Sequence, residues 1–244
     1  MDATLQVASG VVPVARQLIL AAFLLLAVSA AWAPAPAHGE VSLNRDGAVV
    51  SERIDVGFSH TCAIAGDGTV RCWGENNFGG EGLLGYPGTP MATSPNSVGP
   101  VDLGAGRTAV KIATGSDHTC AILDNGSVRC WGSGGSGQLG YGNTNAIGDN
   151  ETPGSVGPVN LGAGRTAVAI TAGAFHTCAI LDNGSVICWG YNNFGQLGNG
   201  NTNTIGDNET PASVGPLDLG PGRTAVAIDA AYYNTCAVLD NGTV

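Results

Sequence analysis

Cysteine, histidine and tryptophan carry most of the chemical potential of this sequence, and they recur at a fixed step. Cys62, Cys120, Cys178 and Cys236 follow one another every 58 residues, and Cys72, Cys130 and Cys188 repeat the step. His60, His118 and His176 precede the first series by two residues, with Asn234 in the fourth place, and Trp73, Trp131 and Trp189 directly follow the second. Thiols beside an imidazole suit two chemistries. Thiolates and histidine hold zinc, and cysteines facing each other across a hairpin form a disulfide. Asp124-Asn125-Gly126 reads as a three-residue turn closed by Leu123 and Ser127. Counting outward puts Cys120 opposite Cys130 in a non-hydrogen-bonded pair, about 4.5 Å apart at Cα and near the short end of the disulfide range. The expectation is Cys62–Cys72, Cys120–Cys130 and Cys178–Cys188, with Cys236 left over because its partner position, 246, falls beyond Val244. Zinc held by His118, Cys120 and Cys130 is the alternative, and the repeat offers it no fourth ligand.

Catalysis needs a unique constellation, whereas His60, His118 and His176 are copied without a nucleophile, base and orienting acid around any of them. They read as scaffold, as do Trp73, Trp131 and Trp189, whose indole N–H groups should find carbonyls when buried. No catalytic residue, metal or cofactor is expected. Asn143 to Glu151 and Asn201 to Glu209 look loosely like oxygen-rich calcium loops, but Ile147 and Ile205 sit where an oxygen is needed, and a network of Asn/Asp turns is the alternative. Asn-Gly-Ser, Asn-Gly-Thr and Asn-Glu-Thr fit the glycosylation pattern and equally fit turns. No glycine-rich stretch contains Gly-Lys-Ser/Thr, so a phosphate loop is not expected.

The elements that must position these residues are short. Ala-Val-Ala-Ile and Cys-Ala-Ile-Leu runs bounded by Gly, Asn, Asp or Pro read as strands. Each repeat supplies three or four antiparallel strands whose apolar residues alternate little, so both sheet faces should be buried. Stacked one per repeat, such sheets make an all-β propeller or a related array. The segments are 38–53, then repeats 54–111, 112–169 and 170–227, and a truncated fourth at 228–244, with no insertions in register.

His176-Thr-Cys-Ala-Ile-Leu-Asp-Asn-Gly-Ser-Val-Ile-Cys-Trp-Gly190, followed by Asn192-Asn-Phe-Gly-Gln-Leu-Gly-Asn-Gly200, resembles the repeat of the regulator of chromosome condensation family. The likeness extends from about Ile54 to Val244. It implies seven-bladed β-propellers, of which this chain holds about three complete blades and the start of a fourth. For function it implies a range: a nuclear exchange factor for a small GTPase, light receptors, inhibitors of secreted enzymes and secreted bacterial proteins. An export signal, paired cysteines and no basic tail set this sequence apart from the nuclear branch.

Composition narrows the partners. Glycine supplies 39 of 244 residues and charged residues only 11%, which fits many tight turns and excludes a coiled coil or mainly helical fold. A net charge of −10 with one lysine, Lys111, repels phosphate backbones and anionic lipid, so nucleic acid is not an expected partner. Leu18 to Ala33 is apolar apart from Ser29, follows Arg16 and leads into Ala/Pro-rich sequence. That reads as a signal peptide over 1–37, with cleavage after Ala30 or Ala37. An uncleaved anchor is the alternative, although the run is shorter than the roughly twenty residues a span needs. Export implies a secreted, periplasmic or cell-surface protein with no membrane span once the leader is removed.

Where the repeats differ, recognition can reside. The connection before each hairpin reads Phe58-Ser59, Ser116-Asp117, Ala174-Phe175 and Tyr232-Tyr233. Equivalent loops of a propeller converge on one face. Phe58, Asp117, Phe175, Tyr232 and Tyr233 are therefore the expected contacts for a protein partner, against the alternative that they only cap blade edges. The functional expectation is a non-catalytic, secreted protein-binding module. The alternatives are a structural or adhesive surface array and, by family analogy, a regulator resembling a guanine-nucleotide exchange factor.

Overall fold

Short apolar runs closed by glycine turns become the strands of this chain. The structure is a computed structural model, and it describes residues 42–43, 49–50, 53–76 and 78–244. The leader expected at 1–37 lies outside the described residues. A small hairpin pairs β1 (Ser42–Leu43) with β2 (Val49–Val50). Four antiparallel sheets follow in chain order. The first contains β3 (Ile54–Val56), β4 (His60–Ile64), β5 (Val70–Glu75) and β6 (Met91–Ala92). The second contains β7 (Ala109–Thr114), β8 (His118–Leu123) and β9 (Val128–Gly132). The third contains β10 (Ala167–Ala172), β11 (His176–Leu181) and β12 (Val186–Gly190), and one helical turn, α1 (Pro211–Val214), comes after it. The fourth contains β13 (Ala225–Ala231) and β14 (Asn234–Leu239).

Single bridges from Gly132 to Ile147 and from Gly190 to Ile205 stand where the first sheet has β6. The first strands, β3, β7, β10 and β13, neighbour one another from sheet to sheet, so each sheet is a blade and its first strand lies innermost. β8 and β11 are buried along their whole length, as the lack of alternation predicts. β14 alternates between exposed and half-buried residues, because only one of its faces is covered by a described blade. β7, β10 and β13 run across the repeat boundaries expected at 112, 170 and 228.

The hairpin turns form as expected. Ser127 carbonyl accepts from Leu123 N–H at 2.8 Å, and Gly126 takes φ 76°. That conformation favours glycine. A second constraint acts at the same place, since a Cβ on Gly126 would lie 2.6 Å from Cβ of Thr166 in the next blade. The Gly126 carbonyl accepts from Ala167 N–H at 2.8 Å, so the turn also joins two blades. Arg107–Asp124, Arg165–Asp182 and Arg223–Asp240 repeat an exposed ion pair at the mouths of the second-, third- and fourth-blade hairpins.

Inside the unbroken 58-residue step, the loops of the first blade are placed differently. Tyr141 hydroxyl accepts from Cys130 N–H across 11 residues, while Tyr86 hydroxyl accepts from Cys72 N–H across 14. The loop after β5 is therefore longer than its counterpart after β9, and the segment that returns to Val101 is correspondingly shorter. Both ends of the detour are fixed by the blade: Val101 N–H donates to Val70 and Val159 N–H donates to Val128 in the same way. The 58-residue step thus survives while the loop inside it shifts.

Candidate functional site

The three expected disulfides join β4 to β5, β8 to β9 and β11 to β12, each with Cα atoms 4.1 Å apart. Cys120 faces Cys130 in register, and the outward-pointing Cys130 N–H and carbonyl both engage the Tyr141 hydroxyl, as a non-hydrogen-bonded pair requires. Cys236 is free and exposed. The disulfides occupy the core together with Trp131, Trp189, Leu139 and Leu197.

His-Thr-Cys welds one blade to the next. Nε2 of His60, His118 and His176 lies 2.9, 2.9 and 2.8 Å from the hydroxyl of Thr119, Thr177 and Thr235 respectively, each in the following blade. Thr177 donates its own proton to the Gln138 carbonyl at 3.0 Å, so its oxygen accepts from His118 Nε2–H and leaves Nδ1 bare. The three Nδ1 atoms are buried and unpartnered. A glycine stands against each ring, since a Cβ on Gly57, Gly115 or Gly173 would come within 2.4 Å of it. Burial lowers the pKa of His60 and His176 to about 4 and of His118 to about 3, the other two histidines adding to the effect on His118. They stand neutral between blades, each hydrogen-bonded to a threonine of the next.

Tryptophan behaves less uniformly than the repeat implies. Trp189 donates to the Gln138 carbonyl at 2.9 Å, as expected. Trp131 is equally buried, yet its Nε1 has no partner; the loop facing it is the longer one of the first blade, with Leu83 where the second blade has Gln138. Trp73 is only half-buried. In the loops compared above with calcium sites, Asn143 and Asn201 accept from the N–H of Asn145 and Asn203 and so form Asx turns. Among the described residues no group of three or more His, Cys, Asp or Glu side chains is arranged to hold a metal.

Three positions of the repeat recur beside the blade seams on one face. The first precedes the histidine: Ser59, Asp117, Phe175 and Tyr233. The second comes directly after the glycine near the end of the third strand: Glu75, Ser133 and Tyr191, whose N–H donates to the first-position carbonyl of its own blade at 3.0, 2.7 and 2.8 Å. The third precedes a loop glycine: Glu81, Ser136 and Phe194. Where the third and fourth blades meet, these positions form an aromatic cluster. The Tyr233 ring centroid lies 4.4 Å from Tyr232, 5.1 Å from Phe194, 6.1 Å from Tyr191 and 6.3 Å from Phe175. Phe194 is 68% exposed and Tyr232 62%. Where the first and second blades meet, the same positions are acidic. Partial burial raises the pKa of Asp117 and of Glu81; a hydrogen bond from Ser133 opposes the rise at Glu81, and the nearby Asp117 adds to it.

A second row lies beside the first. Phe58 N–H donates to Ser116, Ser116 to Ala174 and Ala174 to Tyr232, at 3.2, 3.1 and 3.1 Å. These residues and Gly57, Gly115 and Gly173 line a shallow depression of about 230 Å³. Of the five side chains expected to bind a partner, Phe175, Tyr232 and Tyr233 come together. Asp117 belongs to a different seam, and Phe58, 83% exposed, stands at the opposite end of the row from Tyr232. Tyr191, Phe194 and Glu81 complete the clusters and were not singled out in the sequence.

Sheets stacked as blades and welded at the seams by a repeated His-Thr-Cys motif define a β-propeller repeat protein. Two family models, both described as Regulator of chromosome condensation (RCC1) repeat, match this chain, one at residues 52–79, 109–138 and 167–196 and the other at 125–180 and 183–238. Together they cover more than half of it, and the chain belongs to the RCC1 repeat family. It is 31% identical over 149 residues to the E3 ubiquitin-protein ligase HERC2 of Homo sapiens, covering 61% of this chain and 3% of that protein. It is 29% identical over 149 residues to the ultraviolet-B receptor UVR8 of Arabidopsis thaliana, covering 61% and 31%. The chain thus spans less than a third of either relative. Among solved structures it is similar to yeast RCC1 (Prp20) bound to Kap60, with a TM-score of 0.58, 22% identity, and coverage of 78% of this chain and 40% of that one. Prp20p of Saccharomyces cerevisiae, described with its binding to Gsp1p and histones, matches with a TM-score of 0.56, 17% identity, and coverage of 75% and 42%. Both likenesses concern the fold.

Proposed function

We propose that this chain is an exported, non-catalytic propeller that binds a protein partner through the face bearing Phe175, Tyr191, Phe194, Tyr232 and Tyr233. The observation that carries the reading is the aromatic cluster itself. Five rings are gathered at one seam, and Phe194 and Tyr232 present most of their surface to solvent. Aromatic side chains on short connections lose little entropy on binding and act as anchors of interfaces. In the first and second blades the positions equivalent to Phe175, Tyr191, Phe194 and Tyr233 are serines and acids, so the fold does not require those rings. Protein binding also accords with solved relatives described in complex with, or by their binding to, other proteins. Export is supported by the apolar leader and by three disulfides, which persist in oxidising compartments.

Capture of binding proteins by the wild-type chain and by a Phe175→Ala/Tyr233→Ala variant tests the proposal. A partner retained by the first and lost by the second is expected; equal retention would remove this face from the function. N-terminal sequencing of exported material should begin between Ala31 and His38, and a product that keeps Met1 in the membrane would contradict export.

A further inference from the structure

We infer that the partner presents this face with an extended, arginine-bearing segment, one guanidinium lying on the Tyr233–Phe194 rings and another reaching Asp117 and Glu81. The inference rests on the binding face proposed above and adds the chemistry of what binds there. An exposed cluster of rings by itself accepts apolar and cationic groups alike. What selects the cation is the rest of the face. The net charge is −10 with a single lysine, and the positions equivalent to the aromatic ones carry Asp117 and Glu81 at another seam. Neither carboxylate forms an ion pair with a described residue.

The two clusters are chemically different yet built on the same backbone positions. Asp117 stands to the first blade as Tyr233 stands to the third, so both clusters open on the same side. Between them lies the seam of the second and third blades, where Phe175 occupies the first position and the small residues Ser133 and Ser136 occupy the other two. A segment crossing the face therefore meets the rings, then these small side chains, and then the carboxylates. Arginine fits both ends better than lysine does. Its planar guanidinium stacks on aromatic rings and also pairs with carboxylates through two parallel hydrogen bonds. Partial burial raises the pKa of both carboxylates and the charge of Asp117 adds to the rise at Glu81, and an approaching cation would offset both effects by stabilising the ionised forms.

The probe is a short fluorescent peptide alternating arginine and glycine, titrated into the chain and followed by anisotropy. Peptides with citrulline or lysine in place of arginine are the controls, and the melting temperature of every variant is recorded. Citrulline keeps the planar shape and removes the charge, so it should bind at least about tenfold more weakly. Lysine should fall between the two. Asp117→Asn with Glu81→Gln should weaken the arginine peptide about fivefold and flatten its salt dependence, while Phe194→Ala should weaken it at similar salt dependence. Equal binding of the citrulline peptide, or no effect of the carboxylate pair, overturns the inference. If a captured partner then still depends on Phe175 and Tyr233, the binding face stands and only its cationic chemistry fails. If neither set of substitutions matters, both fail.

Discussion

At the scale of single residues, the chain separates side chains that hold blades together from side chains that differ between blades. The buried histidines belong to the first group and make the fold sensitive to acid. Their folded pKa values, about 4 for His60 and His176 and about 3 for His118, lie below the ordinary 6.5. Above pH 6.5 folded and unfolded chains are both neutral at these sites, and the stability is fully present. As the pH falls from 6.5 toward 4 the unfolded chain takes up protons that the folded chain refuses, costing about 1.4 kcal/mol per pH unit for each histidine. Denaturant unfolding at a series of pH values should therefore show stability falling from pH 6.5 to 4. His118→Gln should reduce the slope by roughly a third while lowering stability at pH 7. A slope unchanged by that substitution would contradict the assignment.

The residues legible in the sequence were those that recur. His118, Cys120 and Trp131 announce themselves by the 58-residue step, and the turn before Ser127 was enough to put Cys120 opposite Cys130. Tyr191, Phe194 and Glu81 were not legible for a physical reason. They follow the third strand in a loop rich in Asn and Gly, and they meet Tyr233 or Asp117 only because the next blade packs there. The signal that could have found Tyr191 is the variation of Glu75, Ser133 and Tyr191 at one position of the repeat. For Glu81 the longer loop of the first blade breaks the spacing to Ser136 and Phe194, which hides the match.

At the scale of elements, the hairpin is the unit that stabilises a blade. Each disulfide closes a loop of 10 residues in sequence separation, which in the chain-entropy account contributes about 2–3 kcal/mol. Non-reducing peptide mapping should recover Cys62–Cys72, Cys120–Cys130 and Cys178–Cys188, with only Cys236 reacting with a thiol reagent in the folded chain. Pairs that cross blades would contradict the register. The turn offers a second check. Gly126→Ala forces a side chain into a left-handed conformation and against Thr166. It should destabilise the chain by about 2–3 kcal/mol, read from denaturant midpoints. Gly135→Ala, which meets nothing within 4 Å and has no positive φ, should change little.

At the scale of the whole molecule, each blade leaves a cradle for a tryptophan of the next. A Cβ on Gly85 would lie 3.1 Å from the Trp131 ring and one on Gly140 2.8 Å from Trp189 Nε1, whereas Gly198 faces open space apart from Leu217. Around Gly198 an apolar groove of about 300 Å³ is lined by Leu197, Leu217, Ile228, Ala237 and Leu239. Extending Val244 by Ile-Cys-Trp-Gly, so that residues 244–248 repeat β12 in register with β14, should fill that groove and give Cys236 a partner at position 246. A higher melting temperature and loss of the free thiol are the expected result; an extension that leaves both unchanged would contradict the blade-on-blade account of stability.

This propeller holds itself together with its repeated residues, and the binding face proposed for it is built of its unrepeated ones. Affinity for the captured partner and melting temperature, measured together for Phe175→Ala, Tyr233→Ala and His118→Gln, test it most directly. The two aromatic substitutions should weaken binding by about tenfold or more while melting stays close to wild type, and His118→Gln should lower the melting temperature with affinity nearly intact. Aromatic substitutions that lower the melting temperature as much as His118→Gln, with no separate loss of affinity, would show the rings to be part of the scaffold and contradict the claim.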